Sequence, residues 1–353
     1  MNRNFLKNNS SVMREEIFEQ PQLLRESLET NKEMIKTVSA DVKDRGCRSV
    51  YFTARGSSEH ACLLAQYIME IYGGIPSKIV NPSVITLYHG NLDMSGSVTI
   101  GVSQSGGAED VSMVLGHARN QGALTISLTN IQGVVDKAAE HNMHNHVGNE
   151  RAMPATKTYM SQALLLTKIM AEITGSAVLR NAVDNVPDAI AAALAHENLI
   201  REYASYFRYA NSIDIFSRGI THAAMKEAEL KIQETANVSA RAYAASDYSH
   251  GPFSTTSHMR PCIFTLVDSV TDDFTMNLYR NMLKKDIFAM AITNKPELAK
   301  EFPLAIVLPE NCEGICGAFS AVTVMQLFSC WLAIYRGINP DKPEGVSKTV
   351  VTI

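Results

Sequence analysis

Lys231 and Glu234 stand three residues apart in a stretch with helical spacing, which sets an ammonium and a carboxylate on one face. Shortly after them, Ser249-His250-Gly251-Pro252 carries an imidazole on a segment broken by glycine and proline. A carboxylate base, an ammonium and an imidazole are the groups that moving a proton beside a carbonyl requires. The same spacing also describes a solvated ion pair, and the same histidine an ordinary loop residue; spacing leaves both readings open. In the first half, Ser103-Gln104-Ser105-Gly106-Gly107 follows one β-rich run and Gly56-Ser57-Ser58 follows another. Each corner offers hydroxyls, backbone N–H groups at a helix start and glycines that let the backbone approach closely, which together suit an anion. Serine and glycine are also the residues of caps and tight turns, but two such corners on one sheet favour a phosphate. Neither corner matches GxxxxGK[ST] or GxGxxG, so the phosphate expected is that of a small metabolite.

Other candidates carry less. His141, His144 and His146 lie close in sequence, strand alternation sets only the last two on one face, and no acidic partner is evident, so no metal is expected. Cys312-x3-Cys316 lacks a second ligand pair and reads as a turn into a buried helix. The sixteen methionines are scattered through apolar faces and read as core.

The elements that must position these groups alternate. Ser10 to Arg45 reads as helix broken near Pro21, which suits the first turn of a second helix. Strands are expected over residues 50–54, 98–102 and 124–128. Helices follow to about Tyr72 and Gln121, and over 158–174. The second half repeats the plan, with strands at 213–217, 262–267 and 287–292 and helices to about Thr235 and over 318–335. Such alternation implies parallel sheets covered on both faces. Ala54-Arg55-Gly56 and Ser217-Arg218-Gly219 occupy the same corner 163 residues apart (218 − 55), and Thr129-Asn130 and Thr293-Asn294 echo each other, so the halves read as a duplication. The joint falls between Gly175 and Asp188, where Asp184 or Asn185 is expected to cap a helix with Pro187 in its first turn.

Bulk properties agree with two globular domains. The chain has 353 residues and a formal net charge of -4, which supplies no electrostatic reason for nucleic acid or an anionic membrane as partner. Six dispersed cysteines suit reduced thiols. The first residues lack the apolar core of a signal peptide, and the longest apolar stretches, such as 163–170, fall short of the roughly 20 residues of a bilayer span. A cytoplasmic protein is expected.

With these residues in view the sequence resembles the sugar isomerase (SIS) domain family. The nearest members are those with tandem domains, of the kind that form the isomerase half of glucosamine-6-phosphate synthase. The resemblance runs from about Arg45 to Ile353. Ser103, Gln104, Ser105 and Gly106 are similar to the family's SQSG phosphate loop, and Ser57 and Ser58 to its neighbouring serine/threonine corner. Ala155-Thr156-Lys157 falls at the family's STK segment, and Met153 at a position whose backbone meets the sugar. Residues 227–253 resemble the catalytic helix and HGP loop throughout. The resemblance implies that Glu234 is the acid/base between the first two sugar carbons. It makes His250 the ring opener, reaching into a neighbouring subunit's site, and Lys231 the lysine one turn before the glutamate. Lys348, in the tail Ser347-Lys348-Thr349-Val350, becomes the lysine that meets the open-chain sugar. Three departures stand out: Ala108 for a threonine, Ala155 for a serine, and Arg55 for a cysteine.

The implied fold is α/β, with two tandem SIS domains, each a flavodoxin-like or Rossmann-like three-layer sandwich. The domains are expected at residues 46–178 and 179–353, after amino-terminal helices at 1–45, with the active site between halves and between subunits. The implied activity is amine release from an amino-sugar 6-phosphate through aldose–ketose chemistry. It is either a glucosamine-6-phosphate deaminase or a deglycase of glycated amino acid 6-phosphates. No amidotransferase cysteine is seen, so breaking a C–N bond is expected rather than making one. A simple phosphosugar isomerase and a non-catalytic sugar-phosphate sensor are the alternatives; retention of Glu234, His250 and Lys348 disfavours the sensor. The implied partners are a phosphosugar and a second copy in a homodimer or higher oligomer. No cofactor is needed, because the imine nitrogen serves as the electron sink.

Overall fold

The computed structural model describes residues 11–345 and contains two parallel five-stranded sheets. In the first, β1 (Val50–Thr53), β2 (Ser77–Ile79), β3 (Val98–Ser103), β4 (Leu124–Thr129) and β5 (His141–His144) lie in the order β2-β1-β3-β4-β5. In the second, β6 (Ser212–Ser217), β7 (Ser239–Ala244), β8 (Cys262–Leu266), β9 (Ala289–Thr293) and β10 (Leu304–Val307) lie in the order β10-β9-β8-β6-β7. Read from its other edge, the second sheet has the order of the first. This is a doubly wound arrangement, and its chain reverses winding direction between the first and third strand of each sheet. β3, β4, β8 and β9 are buried at every residue, which is why they read as unbroken apolar and small runs rather than as alternating patterns.

The duplication is visible in detail. Gly56 and Gly219, the residues before the first helix of each sheet, share one backbone conformation (φ 56°, ψ −133° and φ 63°, ψ −135°). β3 ends at Ser103 and its helix starts at Glu109; β8 ends at Leu266 and its helix starts at Asp272. Both pairs are 163 residues apart (266 − 103; 272 − 109), the offset of the arginine corners. The Asn130 side-chain amide donates to the Gly148 carbonyl at 2.8 Å, and its counterpart Asn294 donates to the Glu310 carbonyl at 3.0 Å.

The described residues separate into two compact units, one of 22–150 and 157–184 with the first sheet, the other of 11–21, 151–156 and 185–345 with the second. In the former, the helix Ser57–Ile68 packs on the helix Lys157–Thr174. In the latter, the helix Gly314–Tyr335 is buried from Ile315 to Ile334 and packs on Ile220–Ala236 and Glu197–Tyr206. By length and composition Gly314–Tyr335 is apolar enough to cross a membrane, contrary to the expectation that no stretch reaches that length, yet its apolar window is wholly buried inside its unit. An all-round apolar helix is what the centre of a core requires.

Two helices overrun their expected breaks. Val12–Asp44 continues through Pro21, and Ala177–Leu194 holds Pro187 in its interior rather than its first turn. A proline inside a helix costs about 3 kcal/mol. Buried Leu179, Val183, Val186, Ile190 and Ala193 form a continuous stripe at helical spacing, and burial of that stripe offsets the lost backbone bond. The strands β2, β7 and β10 and the amphipathic helices Glu197–Tyr206 and Asp272–Met282 complete the plan.

Candidate active site

The helix Ile220–Ala236 starts at Gly219, whose positive φ a side chain would strain, and ends at Asn237 in the left-handed conformation that asparagine tolerates. Ala224, Glu227, Ala228, Lys231 and Thr235 share its buried face. The alanines admit the helix Gly314–Tyr335, and the Thr235 hydroxyl donates to the Ser329 carbonyl of that helix at 3.2 Å, next to Glu234. Lys231 is fully buried. Its ammonium donates to Glu234 Oε2 at 2.5 Å and lies 3.3 Å from Glu227 Oε1. Burial alone pushes the ammonium pKa down, but Glu227 and Glu234 outweigh it and hold it above the ordinary lysine value. Lys231 and Glu234 are therefore no solvated pair. Glu234 stays 22% exposed at the end of a buried carboxylate–ammonium–carboxylate row, so one carboxylate of the row is open to solvent. Glu227 adds a group beyond the expected pair, and its spacing four residues before Lys231 is the signal in the sequence that marks it.

His250 is exposed, with its backbone N–H donating to the Asp247 carbonyl at 3.1 Å, beyond the short helix Ala245–Tyr248. The Met153 backbone N–H donates to the Asp341 carbonyl at 2.9 Å. Lys348 lies outside the described residues.

The two serine corners follow β1 and β3, the strands between which the first sheet changes winding direction. Gly56 has no side chain to cap the helix Ser57–Ile68, so the first-turn amides meet no side-chain acceptor from the N-cap position. Ser58 and Ser103 are nearly buried, while Ser57, Gln104 and Ser105 are partly exposed. Gly106 (φ +67°) packs against the next loop, and its carbonyl accepts the Val135 N–H at 3.1 Å. That loop is held in turn by Asp136, which accepts from the Ser127 and Thr129 hydroxyls, both at 2.9 Å, and from the Gly133 N–H at 2.7 Å. Arg55, noted only as a departure, joins the corners. Its Nε donates to Asp110 Oδ2 at 2.8 Å, and buried Asp110 sits in the first turn of the helix Glu109–Asn120. A charged pair thus fixes the β1 corner to the β3 corner, where several donors can receive one anion.

The histidine segment differs from expectation. His141 Nε2 lies 2.7 Å from Asp41 Oδ2, and Asp41, Glu140 and His141 bring one ligand atom each within 4.8 Å of one another, so acidic partners are present. Glu140 is also bonded to Arg45, which makes this a surface ion-pair cluster. His146 lies beyond β5 with φ 53°, so strand alternation does not govern it, and its ring meets that of His144 edge-on at 6.0 Å. The six cysteines are free.

The SIS domain model matches residues 45–170. An isomerizing glutamine–fructose-6-phosphate aminotransferase from Aeropyrum pernix is 29% identical over 353 residues, covering 96% of this chain and 57% of that protein. The chain thus spans a little over half the length of the relatives it matches. A candidate phosphosugar isomerase from Silicibacter pomeroyi superposes with a TM-score of 0.84 at 26% identity, covering 94% of this chain and 100% of that one. The C-terminal domain of glucosamine-fructose-6-phosphate aminotransferase from Francisella tularensis shares the fold, with a TM-score of 0.83 at 19% identity over 96% of this chain and 99% of that one. Residues 45–170, which hold both serine corners, thus match the SIS domain family, and the chain as a whole shares the fold of phosphosugar isomerases.

Proposed function

We propose that this protein releases an amine from a 2-amino-2-deoxy-aldose 6-phosphate through aldose–ketose isomerisation, with residues 46–178 and 179–353 as tandem SIS domains. The observation that carries the reading is the buried row Glu227–Lys231–Glu234, because it fixes a carboxylate beside an ammonium at its open end, the arrangement that proton transfer next to a carbonyl requires. Ser57, Ser58, Ser103, Gln104 and Ser105 receive the phosphate. His250 opens the ring, and Lys348 meets the open chain. Glu234 takes the proton from the second carbon and returns it to the first. The aldehyde carbon becomes a CH2 group and the amine a ketimine, which water hydrolyses to the ketose phosphate and free amine. The aldehyde oxygen accepts the electron pair when the second carbon loses its proton, and the amine nitrogen returns a pair as the first carbon is protonated, so the chemistry calls for no cofactor. The relatives' printed activity, transfer of an amine to fructose 6-phosphate, supports chemistry at the same carbon–nitrogen bond. The amine is ammonia for a deaminase and an amino acid for a deglycase.

The test is incubation with a panel of amino-sugar and glycated amino acid 6-phosphates, with free amine and ketose both measured. Glu234→Gln keeps the size and removes the base, so amine release should fall about 100- to 10,000-fold while phosphosugar binding persists. Release at the wild-type rate would remove Glu234 from the mechanism. Ketose formed without amine would establish a simple isomerase in its place.

A further inference from the structure

The corner after β8 has the length of the Ser103–Gly107 corner, and the 163-residue offset pairs Ser105 with Asp268 and Gly106 with Ser269 (268 − 105; 269 − 106). Where the first corner presents a hydroxyl, the second presents a carboxylate. Its donors converge all the same. The Ser269 backbone N–H donates to Glu313 Oε1 at 2.5 Å, the Asn294 side-chain amide donates to Glu313 Oε2 at 2.8 Å, and the Lys295 ammonium donates to the same oxygen at 3.1 Å. These donors come from the loops after β8 and β9, the carboxyl ends of adjacent strands, where an open parallel sheet receives its ligand. Glu313 immediately precedes the helix Gly314–Tyr335, and the Gly314 N–H donates to the Val267 carbonyl at 2.7 Å, which holds the carboxylate over the corner. Burial pushes the Glu313 carboxyl up, but the donors outweigh it and hold it below the ordinary glutamate value.

We propose that Glu313 is a built-in anion: its carboxylate occupies the second half's copy of the anion-binding corner, closes that corner to phosphate, and when removed leaves a site for a small monocarboxylate. Charge selects the occupant. Asp272 Oδ2 already accepts from Lys295 at 2.5 Å, and buried Asp268 lies in the same loop. A phosphate dianion would meet two like charges against one lysine, whereas one negative charge restores the existing balance. The division of labour follows, with phosphate held in one half and an internal carboxylate in the other. This inference rests on reading the Ser103–Gly107 corner as the phosphate site, and does not depend on which amine, if any, is released.

Thermal unfolding of full-length Glu313→Ala, in sodium formate against sodium chloride at equal ionic strength, tests it. Alanine takes the Glu313 acceptor from the Ser269 N–H and one of several acceptors from each of Asn294 and Lys295, so the variant should melt below the wild type. Formate well above its dissociation constant should then raise the midpoint by a few degrees beyond chloride, a difference that the wild type lacks. Inorganic phosphate should add no more to the variant than to the wild type. A folded variant that responds to formate as the wild type does, or that phosphate stabilises more than formate, overturns the proposal. Amide hydrogen exchange in the wild type gives a second measurement that needs no variant. The Ser269 amide should be protected at neutral pH and lose protection as acid protonates Glu313; an unprotected Ser269 amide at neutral pH also overturns it.

Discussion

Lys231 is fully buried and still charged, because two carboxylates face it, Glu234 at 2.5 Å and buried Glu227 at 3.3 Å. The raised pKa means that its contribution to stability is complete below the ordinary lysine value of 10.5, where folded and unfolded lysines are both charged, and is lost only as pH climbs above it. Removing one partner of a buried ion pair costs about 3–5 kcal/mol, because the remaining charge keeps its desolvation cost without its counter-ion. Lys231→Ala is therefore expected to lower the unfolding free energy by about that amount at pH 7, measured by urea denaturation. A loss under ~1 kcal/mol, the scale of an exposed pair, would mean that the row is solvated after all.

At the scale of elements, the β3 corner is shaped by what lies behind it. A Cβ added at Gly106 would meet the Ile131 carbonyl oxygen at 2.1 Å and the Gly133 nitrogen at 2.9 Å, and the backbone there has φ +67°. No side-chain rotation relieves contact with backbone, so Gly106→Ala must shift the loop, on top of about 1–3 kcal/mol of left-handed strain. The variant should melt at a lower temperature than wild type. Under the proposed function its KM for the phosphosugar should rise at least about tenfold, while kcat, assigned there to Glu234, changes less. An unchanged KM in a folded variant would show that the phosphate is received elsewhere.

For the molecule as a whole, the two sheets repeat one strand order, and their equivalent corners carry different groups. The first sheet keeps hydroxyls and amides at its corners, while the second encloses a carboxylate and carries the Lys231–Glu234 helix after β6. Under the proposed function each site borrows His250 from a second copy. Mixing inactive His250→Ala and Glu234→Gln proteins should then restore activity, since random pairing places both intact residues at one site of each mixed dimer. Up to about a quarter of wild-type activity is expected when half of the dimers are mixed and one of their two sites is whole. Mixed dimers that form and stay inactive would show that His250 serves its own subunit.

The sequence alone was enough for everything that depends on near neighbours along the chain. Runs such as Val98–Ser103 and Leu124–Thr129 announce buried parallel strands, serine and glycine mark the corners, and the three-residue spacing puts Lys231 and Glu234 on one face. The repeated Arg-Gly corner even announced the duplication that the two sheet orders share. Burial and charge pairing had to wait for the tertiary structure, because their energies are set by groups distant in the chain. Whether Lys231 and Glu234 form a solvated pair or a buried row depends on the helix Gly314–Tyr335 almost a hundred residues away, and the Arg55–Asp110 and Ser269–Glu313 contacts span 55 and 44 residues. Pro21 and Pro187 follow the same logic. Local preference sets a break at each, and packing of an apolar stripe, worth more than one backbone hydrogen bond, carries the helix through.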